Sequence, residues 1–159
     1  FDNVLTACQN DISYNLLDGL LRTKRCREQE AISKKRCLEV LEQVGLEQYA
    51  SQRAGNLPYG SQRRLEIARA LVTSPQILLL DEPAAGMNED ESAQLTQFIQ
   101  NLHINRDITI IIIDHHMDVI MNLCSRISVI NFGMLLAEGT PEEIQGNQEV
   151  IEAYLGVDE

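Results

Sequence analysis

The chain has 159 residues, 44% of them hydrophobic and 23% charged, a balance that supports a folded core and argues against disorder. With 24 acidic against 13 basic residues its net charge is −11, so it repels phosphate backbones and general nucleic-acid binding is excluded. The longest apolar run, Ile110 to Ile113, falls far short of the roughly 20 residues that cross a bilayer, and no charged-then-apolar leader opens the chain, so neither a membrane span nor an export signal is expected.

The first 56 residues are polar, helix-leaning and free of strand signals. Cys37, Leu38, Leu41 and Val44 fall on one helical face, and Gly45 is placed to stop that helix. The cysteines Cys8, Cys26, Cys37 and Cys124 form no C-x-x-C pair, which predicts reduced thiols and no zinc site. From Leu57 the texture changes to a glycine-bearing loop, a helix beginning near Gln62, then Pro75 and the continuous apolar run Ile77 to Leu80. Such a run suits a strand buried on both faces. Asn88 with Glu91 three residues later is a capping signature, and Leu95, Phe98, Ile99 and Leu102 repeat at helical spacing. A second buried strand is expected at Thr109 to Ile113, parallel to the first across this helix. Met117 to Cys124 reads as a short helix, Ile127 to Ile130 as a strand, and Asn131-Phe132-Gly133 as a turn into an edge strand from Met134 to Glu138. Thr140-Pro141-Glu142-Glu143 starts a helix with an N-cap, a first-turn proline and a capping-box glutamate. Two packed subdomains are expected, joined near residue 56.

The run Ile77-Leu78-Leu79-Leu80-Asp81-Glu82-Pro83 carries the most chemistry. Ligands bind beyond the carboxyl ends of strands in an open parallel sheet, and two acids there face that crevice. Adjacent side chains diverge, so one of Asp81 and Glu82 can serve Mg²⁺ and the other an attacking water, although an acidic turn after a core strand has the same composition. Leu57-Pro58-Tyr59-Gly60-Ser61-Gln62 precedes a helix, so its backbone N–H groups and the helix dipole can bind phosphate. Asp114-His115-His116 follows the second strand and places an imidazole at the same sheet edge as the acid pair. A lone histidine there is more often structural; the loop, acid pair and histidine in this order are much harder to obtain by chance.

With these motifs the sequence resembles the ATP-binding subunits of ABC transporters. LPYGSQRRLEIARAL resembles the family's signature loop and following helix, ILLLDEP its Walker B strand, AAGMN its D-loop and IIIIDHHMD its switch-histidine region. The Leu-Pro-Tyr-Gly loop, DEPAAGMN, and GTPEEI followed by VIEAYLG most resemble an ATPase subunit of branched-chain amino acid importers. The resemblance implies an α/β fold: the C-terminal half of a P-loop NTPase core, residues 75–159, with an α-helical subdomain over 1–56 that extends through the signature helix to about 74. It implies that Asp81 holds Mg²⁺ through water, that Glu82 polarises the water attacking the γ-phosphate of ATP, and that His115 contacts that phosphate. Leu57, Pro58, Tyr59, Gly60, Ser61 and Gln62 are then directed at a partner's ATP, and Ala85, Gly86, Met87 and Asn88 communicate across a dimer. The implied partners are a second ATPase subunit, membrane permease subunits and, indirectly, a solute-binding protein. The implied place is the cytoplasmic face of the cell membrane, peripherally bound.

Two departures bear on the loop. Pro58 lacks the hydroxyl that many signature loops place near the γ-phosphate, and Ser61 stands where the family usually has Gln, which leaves Gly60 and the helix N-terminus as the phosphate ligands. The doubled histidine is ambiguous by chemistry alone; Met117 and the preceding strand set the register in favour of His115. None of the nine glycines is followed by lysine, so the 159 residues hold no G-x-x-x-x-G-K-[ST]. FDNVLTACQ resembles the segment after the family's glutamine loop and Phe1 is no initiator methionine, so a truncated chain, inactive alone, is expected. An ABC ATPase of another solute system is the alternative within the family, and two rivals remain outside that reading. Asp114-His115-His116 also matches the metal tripeptide of Mn²⁺-dependent DHH phosphoesterases, though residues 1 to 76 offer no upstream aspartate motif. A non-hydrolysing binding module is the other.

Overall fold

The computed structural model describes residues 1–8 and 14–155. Gln9 and Gly156, which end two of the segments cited for the resemblance, lie outside the described residues.

The N-terminal part is helical: α1 Asp2–Ala7, α2 Leu16–Leu20 and α3 Lys24–Gln43. The stop of α3 follows from Gly45, whose φ of 69° suits glycine. Its N–H donates to the Glu42 carbonyl and that of Leu46 to the Leu41 carbonyl, closing the helix end. The buried stripe of α3 runs through Cys37, Val40, Leu41 and Val44. Leu38 departs from the expected face and is half exposed, because it lies about 100° round the helix from Cys37 and Val40 takes the inner position instead. The Sγ atoms of Cys8 and Cys37 are 3.4 Å apart as free thiols, and burial pushes the Cys37 thiol up to about 12.

Two 3₁₀ turns, Glu47–Tyr49 and Ala54–Asn56, lead to α4, Tyr59–Leu71. This helix starts three residues before the expected position near Gln62. Pro58 has a φ of −53° and its carbonyl accepts from the Ser61 and Gln62 N–H groups, so the loop motif is itself the first helical turn.

β1 (Ile77–Asp81) pairs in parallel with β2 (Thr109–Ile113), in register from Ile77 opposite Thr109 to Asp81 opposite Ile113. Between them runs α5, Glu89–Asn105, capped reciprocally by Asn88 and Glu91 as expected. Leu95, Ile99 and Leu102 bury its inner face and Phe98 flanks it. The expected two-sided burial of the strands does not hold: Leu78 and Leu80 enter the core, but Ile77 and Leu79 are 56% and 71% exposed, and Ile111 and Ile113 likewise lie open. Among the described residues these two strands pair only with each other and the helices cover one face.

α6 (Met117–Leu123) leads to the antiparallel pair β3 (Ile127–Asn131) and β4 (Met134–Gly139), a separate sheet. Phe132 and Gly133 both take positive φ, 47° and 78°, the signature of the tight primed turn. α7 (Pro141–Gln145), with its Thr140 and Glu143 capping box, and α8 (Gln148–Leu155) close the chain. One apolar cluster runs continuously from Val4 of α1 through α3, α4, β1 and α5 to Val119 of α6; a smaller one joins Ile120, Ile127, Val129, Ile144 and Val150. Among the described residues no helix is long and apolar enough to cross a membrane.

Candidate functional site

The parallel register brings the two strand ends level, so Asp81, Glu82, Asp114 and His115 emerge together where β1 and β2 leave the sheet. The Glu82 N–H donates to the Ile113 carbonyl at 2.7 Å, tying the two ends across the ladder. Glu82 holds a φ of 42°, a left-handed conformation that costs a non-glycine residue about 1 kcal/mol or more and that clusters at functional sites. This turn aims its carboxylate at His115, with Oε1 3.3 Å from Nδ1. Both side chains are about half exposed, so the pair is open to a ligand. Asp81 is also exposed at the strand end.

His116 is engaged differently. Its ring Nδ1 lies 2.6 Å from Asp114 Oδ1, and its backbone N–H donates to the same oxygen at 2.9 Å. The Asp114 side chain is fully buried and its Oδ2 has no hydrogen-bond partner. Burial raises the Asp114 carboxyl, but the bonds from the backbone and ring of His116 outweigh it and hold the group below the ordinary carboxylate range. The two imidazoles pack at 4.1 Å between centroids. Ligand atoms of Asp114, His115 and His116 fall within 4.8 Å of one another, yet Oδ1 of Asp114 is already committed to His116.

The structure also joins the other two motifs. In the turn after β1, Gly86 has a φ of 76° and Asn88 is committed as the α5 N-cap. The Tyr59 hydroxyl donates to the Ala85 carbonyl at 2.9 Å and the ring lies against Gly86. Arg63 Nη2 donates to the Tyr59 oxygen at 2.8 Å, its guanidinium lies 5.2 Å from the ring centroid, and its Nη1 pairs with Glu66. Leu57 is buried and accepts from the Gln62 side-chain amide, whereas Gly60 faces open space. Pro58 is exposed, and the Ser61 N–H is used within the helix. The first N–H groups of α4, those of Tyr59 and Gly60, precede its intrahelical bonds and are the ones placed for an anion. The anchoring roles of Tyr59, Arg63 and Asp114 are not read from sequence; the one signal is an aromatic residue in a loop of otherwise small side chains.

A parallel strand pair crossed by a helix, with acids and a histidine at the strand ends and a helix N-terminus bound to the following turn, defines the class of α/β nucleotide-binding cassettes. The comparisons agree. The ABC transporter family matches residues 3–85, and the chain belongs to that family. The branched-chain amino acid ATP-binding cassette transporter family matches residues 134–159. The high-affinity branched-chain amino acid transport ATP-binding protein LivG of Salmonella typhimurium is 46% identical over 98% of the chain, and LivG of Escherichia coli is 45% identical over the same share. BraF of Pseudomonas aeruginosa, of the same description, is 44% identical. The chain spans 61% of the length of these curated relatives. Among solved structures, the ADP conformation of MJ1267, an ATP-binding cassette of an ABC transporter, superposes with a TM-score of 0.77 at 26% identity over 97% of this chain and 61% of that one. A nucleotide-free cassette from an ABC transporter gives 0.75 at 25% identity. The phosphoesterase reading of Asp114-His115-His116 is thereby set aside.

Proposed function

We propose that these residues form part of an ATP-hydrolysing subunit that powers an ABC importer of branched-chain amino acids, with the phosphate-cradling loop contributed by residues outside them. The observation that carries the reading is the pairing of Glu82 with His115 at the joined ends of two parallel strands in a chain of this family. The names of the LivG and BraF relatives, and the match of residues 134–159, support the branched-chain solute.

In this reading Glu82 accepts the proton of the water that attacks the γ-phosphate, held towards it by the left-handed turn. His115 donates a hydrogen bond to a γ-phosphate oxygen as charge develops there. Asp81 offers an exposed carboxylate, a hard oxygen donor of the kind Mg²⁺ takes through water, and the ion supplies neutralisation of the phosphate charge. Residues 57–62 turn the N–H groups of Tyr59 and Gly60 towards ATP on a second ATPase subunit, and Ala85 to Asn88 lie along the same contact. Residues 1–56, extended to about 74, serve as the helical signature-bearing unit and 75–159 as the nucleotide-core unit. Membrane permease subunits and, through them, a solute-binding protein complete the assembly at the cytoplasmic face of the membrane. The test is steady-state hydrolysis by the longer protein carrying a phosphate-cradling loop: Glu82→Gln is expected to keep ATP binding and to lower turnover by at least about 100-fold. Wild-type turnover in that variant assigns the catalytic role elsewhere.

A further inference from the structure

The proposed function gives no work to Asp114 or to His116. Side chains of consecutive residues in an extended chain point apart, yet after β2 the backbone is irregular and the His115 and His116 rings pack together, with 4.1 Å between centroids and 36° between planes. Two exposed imidazoles bury little by stacking, and they repel each other when protonated, so stability does not account for the pair. The bond from the His116 N–H to Asp114 Oδ1 at 2.9 Å closes the turn into α6, but closing a turn does not require the His116 ring on the same oxygen.

Each ring has a carboxylate at its Nδ1. Asp114 Oδ1 lies 2.6 Å from Nδ1 of His116, and Glu82 Oε1 lies 3.3 Å from Nδ1 of His115. A carboxylate there keeps the proton on Nδ1, fixes the ring and leaves Nε2 as a more basic lone pair, which is how metal-ligating histidines are supported. Asp114 suits that role, because its side chain is fully buried while the His116 side chain it holds is 46% exposed. Its Oδ2 has no hydrogen-bond partner, an under-compensated buried charge that a cation on the neighbouring ring relieves. The 4.1 Å between ring centres is comparable with the roughly 4 Å that two Zn–N bonds of about 2.0–2.1 Å bridge. Imidazole nitrogens favour zinc and its neighbours over Mg²⁺, which demands hard oxygen donors in an octahedral array. The expectation of no zinc site rests on cysteine spacing and does not touch imidazoles.

We propose that His115 and His116 form a zinc site, binding the ion through their Nε2 atoms while Glu82 and Asp114 hold the rings at Nδ1 and water completes the coordination. The site stands on the geometry of these four side chains and does not rest on the ATPase reading. It is a binding site and carries no phosphoesterase chemistry.

Calorimetric titration of the nucleotide-free chain with zinc chloride is expected to give a dissociation constant below about 100 μM, and titration with magnesium chloride no binding in that range. The chain has three histidines, so their ring nitrogens are separable by NMR once isotopically labelled. On adding zinc the Nε2 resonances of His115 and His116 are expected to move while both keep a proton on Nδ1. His103, whose Nδ1 lies 3.1 Å from the Ile108 carbonyl, is expected to stay unmoved. His115→Gln and His116→Gln are each expected to weaken zinc binding at least about thirty-fold, and Glu82→Gln about tenfold through loss of a supporting carboxylate. His115 and Glu82 are exposed side chains, and the NMR titration needs no variant, so a folding defect cannot decide the outcome. Zinc binding weaker than about 100 μM, equal affinity for magnesium, or a shift confined to His103 overturns the proposal. So does undiminished zinc affinity in both histidine variants, the outcome expected if a thiol holds the ion.

Discussion

At the scale of single residues, the adjacent histidines have unequal freedom. His116 spends its Nδ1 on Asp114 at 2.6 Å, whereas His115, packed against the His116 ring, has the exposed carboxylate of Glu82 at 3.3 Å as its nearer acid and Asp114 Oδ1 at 3.9 Å. In the longer protein His115→Ala is expected to lower ATP turnover by about 100- to 1000-fold, the cost of losing a preorganised donor. His116→Ala is expected to lose less than about tenfold, since it removes a support and not a contact to the reacting group. A larger loss at His116 moves the role by one residue. Asp114 adds a pH dependence. Its carboxyl is depressed in the folded chain, so its ionised form contributes stability that is fully present above the unfolded value near 3.9 and is lost as pH falls through the lower folded value. Asp114→Asn keeps the shape but weakens the bonds from His116. Urea midpoints should show it less stable by about 1–2 kcal/mol at pH 7, with the gap closing below about pH 4. A gap that is the same at pH 3 removes the charge from the explanation.

At the scale of elements, most of what the structure shows is legible in residue spacing, because caps and turns are local. Asn88 with Glu91, Thr140 with Glu143, Gly45 and the turn at Phe132-Gly133 each state their geometry within four residues, and all fold as read. What is not legible depends on surroundings. Apolar strands read as buried on both faces, but whether a face is covered is decided by distant segments, and Leu79 and Ile113 stay open. The start of α4 is missed because Pro58 caps it without a side-chain bond, leaving no residue type to mark the boundary. The placement of Glu82 against His115 likewise needs the parallel register and a left-handed turn that glutamate rarely adopts. The hairpin offers a test of how far local chemistry sets stability. Phe132 is 96% exposed and sits at a φ of 47°, so it contributes no burial and pays for a conformation that asparagine adopts more easily. Phe132→Asn, which creates the favoured Asn-Gly turn, is expected to stabilise the chain by about 0.5–1 kcal/mol in urea unfolding. A loss of stability shows that the aromatic ring makes a contact that outweighs the turn.

At the scale of the whole molecule, three separate motifs become one surface. The strand ends join Glu82 to His115, and Tyr59 fixes the start of α4 to the turn after β1 through Ala85. In the proposed function these residues nevertheless offer the chain's own nucleotide only the side chains at the joined strand ends, the two leading N–H groups of α4 being directed at a second subunit's ATP. A phosphate chain is held chiefly by a nest of backbone amides with a lysine reaching the outer phosphates, and the sequence contains no such glycine-lysine segment. The net charge of −11 adds a general repulsion of MgATP, which is itself anionic. The 159-residue chain is therefore expected to bind Mg-ATP with a dissociation constant weaker than about 10 μM in calorimetric titration, and the longer protein much more tightly. A constant of about 10 μM or below for the chain alone, near −7 kcal/mol, shows that the strand-end carboxylates and His115 suffice to hold the nucleotide. In that case His115→Ala should weaken the titration, whereas Gly60→Pro, which alters the loop directed at a second subunit's ATP, should leave it unchanged. If His115→Ala has no effect, the nucleotide sits elsewhere on the chain and the joined strand ends are not its binding site.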